Sequence, residues 1–425
     1  MHRLIPLTSV AWLVVALAGV DVFAGGFQLN EHGARSMAQA GAFCARASDP
    51  SALFFNPAGL SFQRGTTIMA GATFIAPRYI FYGPINLTRN DEWEMKRQVF
   101  FPPNIYVTNT WNDGLLKGLG VGIGLVTPYG LGTKWDDEWI GKSITRQVDL
   151  QTYYIMPTVS YAVNDALAIG VGANLVLSRV MLSRAVTTFD PSMSLELDGT
   201  GKPAFSWNAG ILVHPLENLS LGFTYRARTD VDFDGTADFH PPASLASLFP
   251  GGDVRTSIAM PATWFAGVAW TPTENLQVEF DVQGIGWSAY DKLTIDFVND
   301  ATVNPTVKQS DAVMPKNYKD AFIFRFGAEY AIPLLGITVR GGYFYDLNPV
   351  PDEHLEPILP DANRHGLCIG FGMNVLPNVT LDFAYNDLLF QERTTTKTTY
   401  PDGVALDGTY RGNAQLVGVD ITYRF

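Results

Sequence analysis

Residues 417–425, VGVDITYRF, place Val417, Val419, Ile421, Tyr423 and Phe425 on one face of an extended chain and Gly418, Asp420, Thr422 and Arg424 on the other. Strict period-two alternation marks a half-buried strand. A soluble sandwich turns the apolar face of such a strand to a core; a membrane barrel turns it to lipid. The pattern recurs through the chain. Leu219, Leu221, Phe223 and Tyr225 alternate with Ser220, Gly222, Thr224 and Arg226. Leu276, Val278, Phe280 and Val282 alternate with Gln277, Glu279, Asp281 and Gln283. Phe322, Phe324, Phe326 and Tyr330 share a face opposite Arg325, Gly327 and Glu329, and Leu367, Ile369, Phe371, Met373 and Val375 share another. Trp111, Tyr161, Trp264, Trp270 and Tyr330 fall near strand ends, where interfacial girdles lie.

Composition and the start of the chain separate barrel from sandwich. The 425 residues are 47% hydrophobic and 12% aromatic but only 16% charged, where about a quarter is usual in soluble proteins. Met1-His2-Arg3, the apolar run VAWLVVALAGV (10–20) and Val22-Phe23-Ala24 read as an export signal cleaved after Ala24. The run is short for a retained anchor, and no stretch of about twenty apolar residues follows it. A net charge of −12 argues against nucleic acid and against a polybasic membrane-surface role. An exported chain of alternating strands ending on an aromatic favours an outer-membrane barrel.

Strand number follows from the tight turns. Six segments carry turn chemistry between alternating runs: Asn112-Asp113-Gly114, Asn164-Asp165, Pro215 to Asn218, Pro272 to Asn275, Pro333 to Gly336, and Leu376 to Asn378. Outer-membrane barrels keep short turns on the periplasmic side and long loops outside. Six such turns, with both termini periplasmic, require fourteen strands. The outer loops then lie near 81–97, 129–147, 185–204, 230–256, 290–318, 346–364 and 390–410. The expected fold is all-β: a transmembrane antiparallel β-barrel of fourteen strands over residues 63–425.

Residues 25–62, GGFQLNEHGARSMAQAGAFCARASDPSALFFNPAGLSF, break the pattern. Asp49-Pro50 offers an N-cap and a proline at the first helical position. Ser51 to Phe55 can make a turn or two, and Pro57 forces Asn56 out of the α region. Ala34, Ala38, Ala40, Gly41, Ala42 and Ala45 give a small-surfaced segment suited to a narrow lumen. Gly118, Gly120, Gly122 and Gly124 share one strand face, and Gly170 and Gly172 another. Strand glycines mark a bend or the close approach of another backbone, though membrane strands also tolerate them without such a contact. Residues 25–62 are expected to form an N-terminal helical hatch inside the barrel.

GFQLNE (26–31), NPAGL (56–60), PPNIYV (102–107), GLGVGIGLVTPYGLGTKW (118–135), PVPDEH (349–354), LPDANRH (359–365) and the closing YRF together resemble the FadL/TodX (OmpP1) family of outer-membrane transporters. The resemblance runs over essentially the whole chain after residue 24. It implies that a long-chain fatty acid or similar hydrophobic molecule is caught at the outer face and passes to a site in the barrel. The molecule then leaves sideways into membrane lipid through a gap in the wall while the hatch moves. Monoaromatic hydrocarbons are the other substrates it implies. The hatch and gating role carries over to Phe27, Asn56, Pro57 and Ala58. His32 and Cys44 depart from the family pattern, and loop lengths differ.

Sideways exit has its own physical reading. Each methylene kept from water is worth about 0.8 kcal/mol, so a lumen-to-lipid route suits an apolar solute. Pro102 and Pro103 lack amide donors inside an expected strand, next to the strand holding Gly120 and Gly122, and the opening is expected there. Capture needs exposed apolar loop residues. Phe239, Leu245, Leu248 and Phe249 qualify, the last three spaced as one face of a short helix, although they could equally pack on the rim. A carboxylate ligand would favour a lumen cation: Arg226, Arg325 or Arg340. The same arginines could pair with inward Glu279, Asp281 and Glu329. Cys44 in the hatch and Cys368 in a strand could bridge, or remain separate thiols.

Enzyme signatures are absent. Gly199-Thr200-Gly201-Lys202 lacks the earlier glycine of a phosphate loop, with Glu196 in its place. There is no G-x-S-x-G and no H-E-x-x-H. No cofactor is expected, and the transporting unit is expected to be a monomer. The rival readings are a general diffusion porin, which the hatch argues against, an adhesin, and an outer-membrane lipase.

Overall fold

The computed structural model describes residues 25–84, 91–187, 190, 192–249, 251–298, 312–396 and 406–425. The expected signal, residues 1–24, lies outside these, as do short stretches of the outer loops. Fourteen long strands among the described residues run antiparallel in chain order: β1 (Gly65–Gly83), β2 (Pro103–Thr110), β3 (Leu119–Val126), β4 (Gln147–Asn164), β5 (Leu167–Ala185), β6 (Ala204–Leu216), β7 (Leu219–Arg226), β8 (Thr263–Thr273), β9 (Leu276–Ile285), β10 (Ala321–Ile332), β11 (Ile337–Asp346), β12 (Arg364–Leu376), β13 (Val379–Phe390) and β14 (Gly408–Arg424). β14 returns to β1, from Arg424 opposite Thr67 to Thr409 opposite Tyr82, and closes the barrel. Closure answers the solvent: an open edge in hydrocarbon would strand backbone amides and carbonyls at several kcal/mol each.

The alternation sorts side chains as lipid demands. Phe74, Ile123, Val171, Phe223, Phe280, Phe326, Ile369 and Ile421 point outward and are exposed. Thr108, Asn208, Glu279, Asp281, Arg325 and Asp420 point inward and are buried. Tyr161, Trp270, Tyr330 and Tyr423 form an outward aromatic row near the short turns. All six expected turns join consecutive strands. One ends on Gly336 at φ 63°, a left-handed position that glycine takes without strain.

The outer side is more regular than the sequence suggested. β4 and β5 have 18 and 19 residues, where about ten suffice to cross a bilayer. Beyond the membrane, Ser194–Gly201, Thr229–His240, Gly252–Met260 and Lys292–Phe297 continue the sheet. The expected loop at 230–256 is therefore mostly a hairpin, and the helical face through Leu245, Leu248 and Phe249 reduces to a single 3-10 turn, Ala246–Leu248. Val231, Phe233, Ala237 and Phe239 alternate there with Asp232, Asp234, Thr236 and Asp238. That period-two signal outweighs the three helically spaced residues.

Residues 25–62, the expected hatch, pack on the inner faces of the wall strands as α1 (Ala34–Met37), α2 (Ala52–Phe55) and a 3-10 turn, Pro57–Phe62. Asp49 Oδ1 accepts from the Ser51 amide (2.9 Å) and hydroxyl (2.6 Å), shaping the turn before α2. Asn56 ends α2 and caps the next turn, its Oδ1 accepting from Ala58 N at 3.2 Å. Wall glycines let the hatch backbone approach. A Cβ on Gly170 would lie 2.4 Å from the Pro57 carbonyl carbon, and one on Gly222 2.3 Å from the Cys44 carbonyl oxygen. Gly120 faces Leu60 and Gly122 faces Leu53, whereas Gly118 belongs to the turn before β3.

Candidate functional site

Carboxylates on the wall hold the hatch. Asp281 Oδ2 on β9 accepts from the amides of Phe43 and Cys44, both at 2.9 Å. Glu279 on the same strand accepts from Ala45 N and Arg46 Nε, both at 2.6 Å. Asp420 on β14 accepts from Ala34 N. Arg35 of α1 pairs with Glu329 at 2.7 Å. Asn56 Nδ2 donates to the carbonyls of Cys44 (2.9 Å) and Ile211 (3.0 Å), stitching two parts of the hatch to β6. Cys44 and Cys368 are both buried free thiols.

The three lumen arginines part company. Arg340 pairs with Glu329 (3.0 Å) and Asp382 (2.6 Å). Arg325 donates to the Ala40 carbonyl, Asn30 and Gln283. Arg226 is only 5% exposed, which decides its character. It donates to the Phe54 carbonyl at 3.1 Å and lies 4.0 Å over the Phe54 ring. Its Nε has no hydrogen-bond partner. The charged and titratable neighbours that bear most on it are the hydroxyls of Tyr129, Tyr154 and Tyr106, and no carboxylate among the described residues pairs with it.

The wall is interrupted beside Pro102 and Pro103. The β2–β3 ladder ends at Ile105 opposite Leu125. Past Val126 the chain turns inward, and Gly130–Lys134 pairs with β4 instead. Before β2, the chain stays on β1 through Thr73 N to Pro102 O (3.1 Å) and the paired Ile75 and Phe100. Backbone hydrogen bonding between the two flanks resumes where Lys96 N donates to Lys134 O at 2.7 Å, and across the window itself the Phe100 ring lies against Gly132. Among the described residues, no ladder pair joins 97–104 to 127–133. Gly120 and Gly122 lie below this window, laddered to Thr110 and Thr108. On its outer side Phe101 is exposed and packs on Phe74 at 5.1 Å.

Behind the window lies a mostly apolar cavity of about 400 Å³, lined by Phe27, Phe100, Pro102, Pro103, Tyr129 and Leu131 among others. The first hatch residues form one of its walls. Leu29 N donates to Pro128 O (2.8 Å) and Gly130 N to Phe27 O (2.9 Å), so the hatch adds a short strand where β3 has left. The Phe27 ring sits edge-on in an aromatic box: 4.7 Å from Trp287, 5.5 Å from Tyr290 and 6.0 Å from Tyr129. Sequence reasoning found the prolines and Phe27 but not Phe100, Tyr129, Trp287 or Tyr290. The break in alternation at Val126-Thr127-Pro128 was the available signal for Tyr129; nothing local marks Trp287. Phe239 and Phe249 come together on the outer hairpin at 5.5 Å, with Phe249 buried.

Comparison with known proteins agrees with this fold. A family model described as outer membrane protein transport protein (OMPP1/FadL/TodX) matches residues 15–425. A long-chain fatty acid transport protein of Escherichia coli is 24% identical over 97% of each chain. A Pseudomonas aeruginosa FadL homologue superposes with a TM-score of 0.81 at 18% identity, over 94% of this chain and 100% of that one. The Pseudomonas putida toluene transporter TodX gives 0.68 at 17% identity, over 95% and 99%.

Proposed function

The chain belongs to the OMPP1/FadL/TodX family of outer-membrane transport proteins, and on that premise we propose that it takes up long-chain fatty acids or similar hydrophobic molecules and releases them sideways through the barrel wall. The observation that carries the reading is the apolar cavity behind an unladdered stretch of wall. A solute there is one side chain from lipid and need not re-enter water. Capture falls to the outer hairpin, toward whose tip Phe239 and Leu245 lie, while Phe249 is buried against Phe239 and supports that tip. Release passes between 97–104 and 127–133 as Phe27 and its short strand withdraw. The hatch turn at Asn56, Pro57 and Ala58 keeps the rest of the plug seated. One chain encloses hatch, cavity and window, so the monomer is the working unit.

Arg226, which stands behind Tyr129 of the cavity wall rather than on the lining itself, favours an acid over a hydrocarbon, because a buried guanidinium without a carboxylate is a ready partner for one. The aromatic box around Phe27 favours the second reading, a monoaromatic solute whose ring replaces that of Phe27. Uptake of radiolabelled oleate and toluene by cells lacking their own carrier decides between them. Oleate uptake that falls at least tenfold in Arg226→Leu supports the acid. Toluene uptake indifferent to Arg226 supports the aromatic. Uptake of neither, with small-sugar flux in liposomes, would overturn both in favour of a porin.

A further inference from the structure

The cavity has a second thin place, on the far side of β1 from the window. The β13–β14 ladder runs up to Leu389 opposite Asn413 and resumes at Arg393 opposite Tyr410. Between these pairs, Phe390, Gln391 and Glu392 make no ladder contact with β14. On the other flank of β14, Ala414 faces Pro77, which has no amide to give to the sheet. Gly412 lies between, with rings packed against its backbone: a Cβ there would be 2.6 Å from Tyr79 and 3.3 Å from Phe390. Those two rings meet at 5.5 Å. On the barrel exterior at this height is a notch of about 520 Å³ lined by Arg78, Ile80, Tyr82, Phe390, Arg411 and Asn413 among others. Phe390 lines the inner cavity as well. Phe390, with the Tyr79 ring packed beside it, thus lines both the notch and the lumen.

We propose that this notch is a port through which an amphiphile with an anionic head, dissolved in the outer leaflet, reaches the cavity past Phe390. The idea rests on the transport reading above and adds a way in that bypasses the outer loops. Arg78 and Arg411 stand at the mouth, held by Glu94 and Glu392 in ion pairs that are about half exposed. Water screens exposed pairs of this kind, so a carboxylate can displace either glutamate. Ile80, Tyr82 and Phe390 receive the alkyl chain. The same cavity then gives onto the window at 97–104. An apolar chain can therefore pass from one lipid-facing opening to the other without meeting bulk water.

Two measurements test the port on the full chain. In the oleate uptake assay, Phe390→Ala should raise the initial rate at least twofold and Phe390→Trp should lower it at least threefold. In the wild-type protein, reconstituted with a diazirine-bearing palmitate in the lipid, photolysis should leave adducts on notch residues such as Asn413 and Ile80 as well as on Phe100 and Leu131. Adducts confined to the lumen side, or equal rates in both Phe390 variants, would overturn the port while leaving uptake itself intact. A wild-type protein that takes up no hydrophobic solute overturns the transport reading, and the port with it.

Discussion

Asn56→Ala should loosen the hatch without harming the barrel. The side chain is fully buried and makes three hydrogen bonds, to the carbonyls of Cys44 and Ile211 and from the amide of Ala58. Truncation leaves the Cys44 carbonyl and the Ala58 amide without those partners in a place water does not reach. An unsatisfied buried group costs about 1–3 kcal/mol, so the pair costs roughly 2–6 kcal/mol. None of this falls on the β-ladder, so the closed state of the hatch bears it. At about 3 kcal/mol, local opening becomes roughly 150-fold more frequent. Cys44 reports it directly, because its thiol is fully buried in the closed hatch. In a Cys368→Ser background, maleimide labelling of folded protein in detergent should rise at least tenfold, while heat-modifiable gel mobility shows the barrel intact. Labelling at the unmutated rate with an intact barrel would refute the claim that Asn56 holds the hatch.

Gly222→Val should expose Cys44 still more, since the new Cβ would sit 2.3 Å from a backbone oxygen that cannot yield; the same labelling experiment checks it. Burial, helped by the Arg226 charge, lowers the His32 pKa to about 3, against about 6.5 in an open chain. Between those values the open hatch binds a proton that the closed hatch refuses, so closure weakens as pH falls, by up to about 1.4 kcal/mol per unit below roughly pH 6.5. Labelling with a pyridyl disulfide, which stays reactive in acid, should show this, and His32→Phe should flatten the profile. Oxidant should leave gel mobility unchanged, because Cys44 and Cys368 are separate free thiols; a shifted band would show that they meet in another conformation.

The strands and turns were legible because both signals are local: alternation within six or eight residues, and Gly, Pro, Asn or Asp between runs. The hatch was legible through the small residues of the segment and of the wall that faces it. Aspartates on the outer hairpin at 229–260 made a regular strand pair look like polar loop. The window required register: Pro102 and Pro103 hinted at it, but that the ladder stops at Leu125 is fixed by where Gly130–Lys134 pairs. No pattern in the chain says that Glu279 takes Arg46 and leaves Arg226 without a carboxylate, since that choice depends on side chains more than a hundred positions apart. The box around Phe27 is assembled from residues scattered between 129 and 290, each unremarkable where it stands in the sequence.

The carboxylates that seat the hatch also fix what the barrel would conduct without it. Around that seat the wall carries Glu279, Asp281, Glu329, Asp382 and Asp420, against Arg226, Arg325 and Arg340. Arg35, Arg46 and four backbone amides of the hatch complete the compensation. Withdrawal of the whole plug would leave five acids facing three guanidinium groups around an aqueous bore. Such a bore attracts potassium and repels chloride. In a planar bilayer the emptied barrel would pass a cation-selective current, a leak that the cell tolerates badly. On the proposed route, the charge on the wall is therefore a reason for the plug to move only at its first few residues: local withdrawal would open a path for an apolar chain and leave the ionic seal shut.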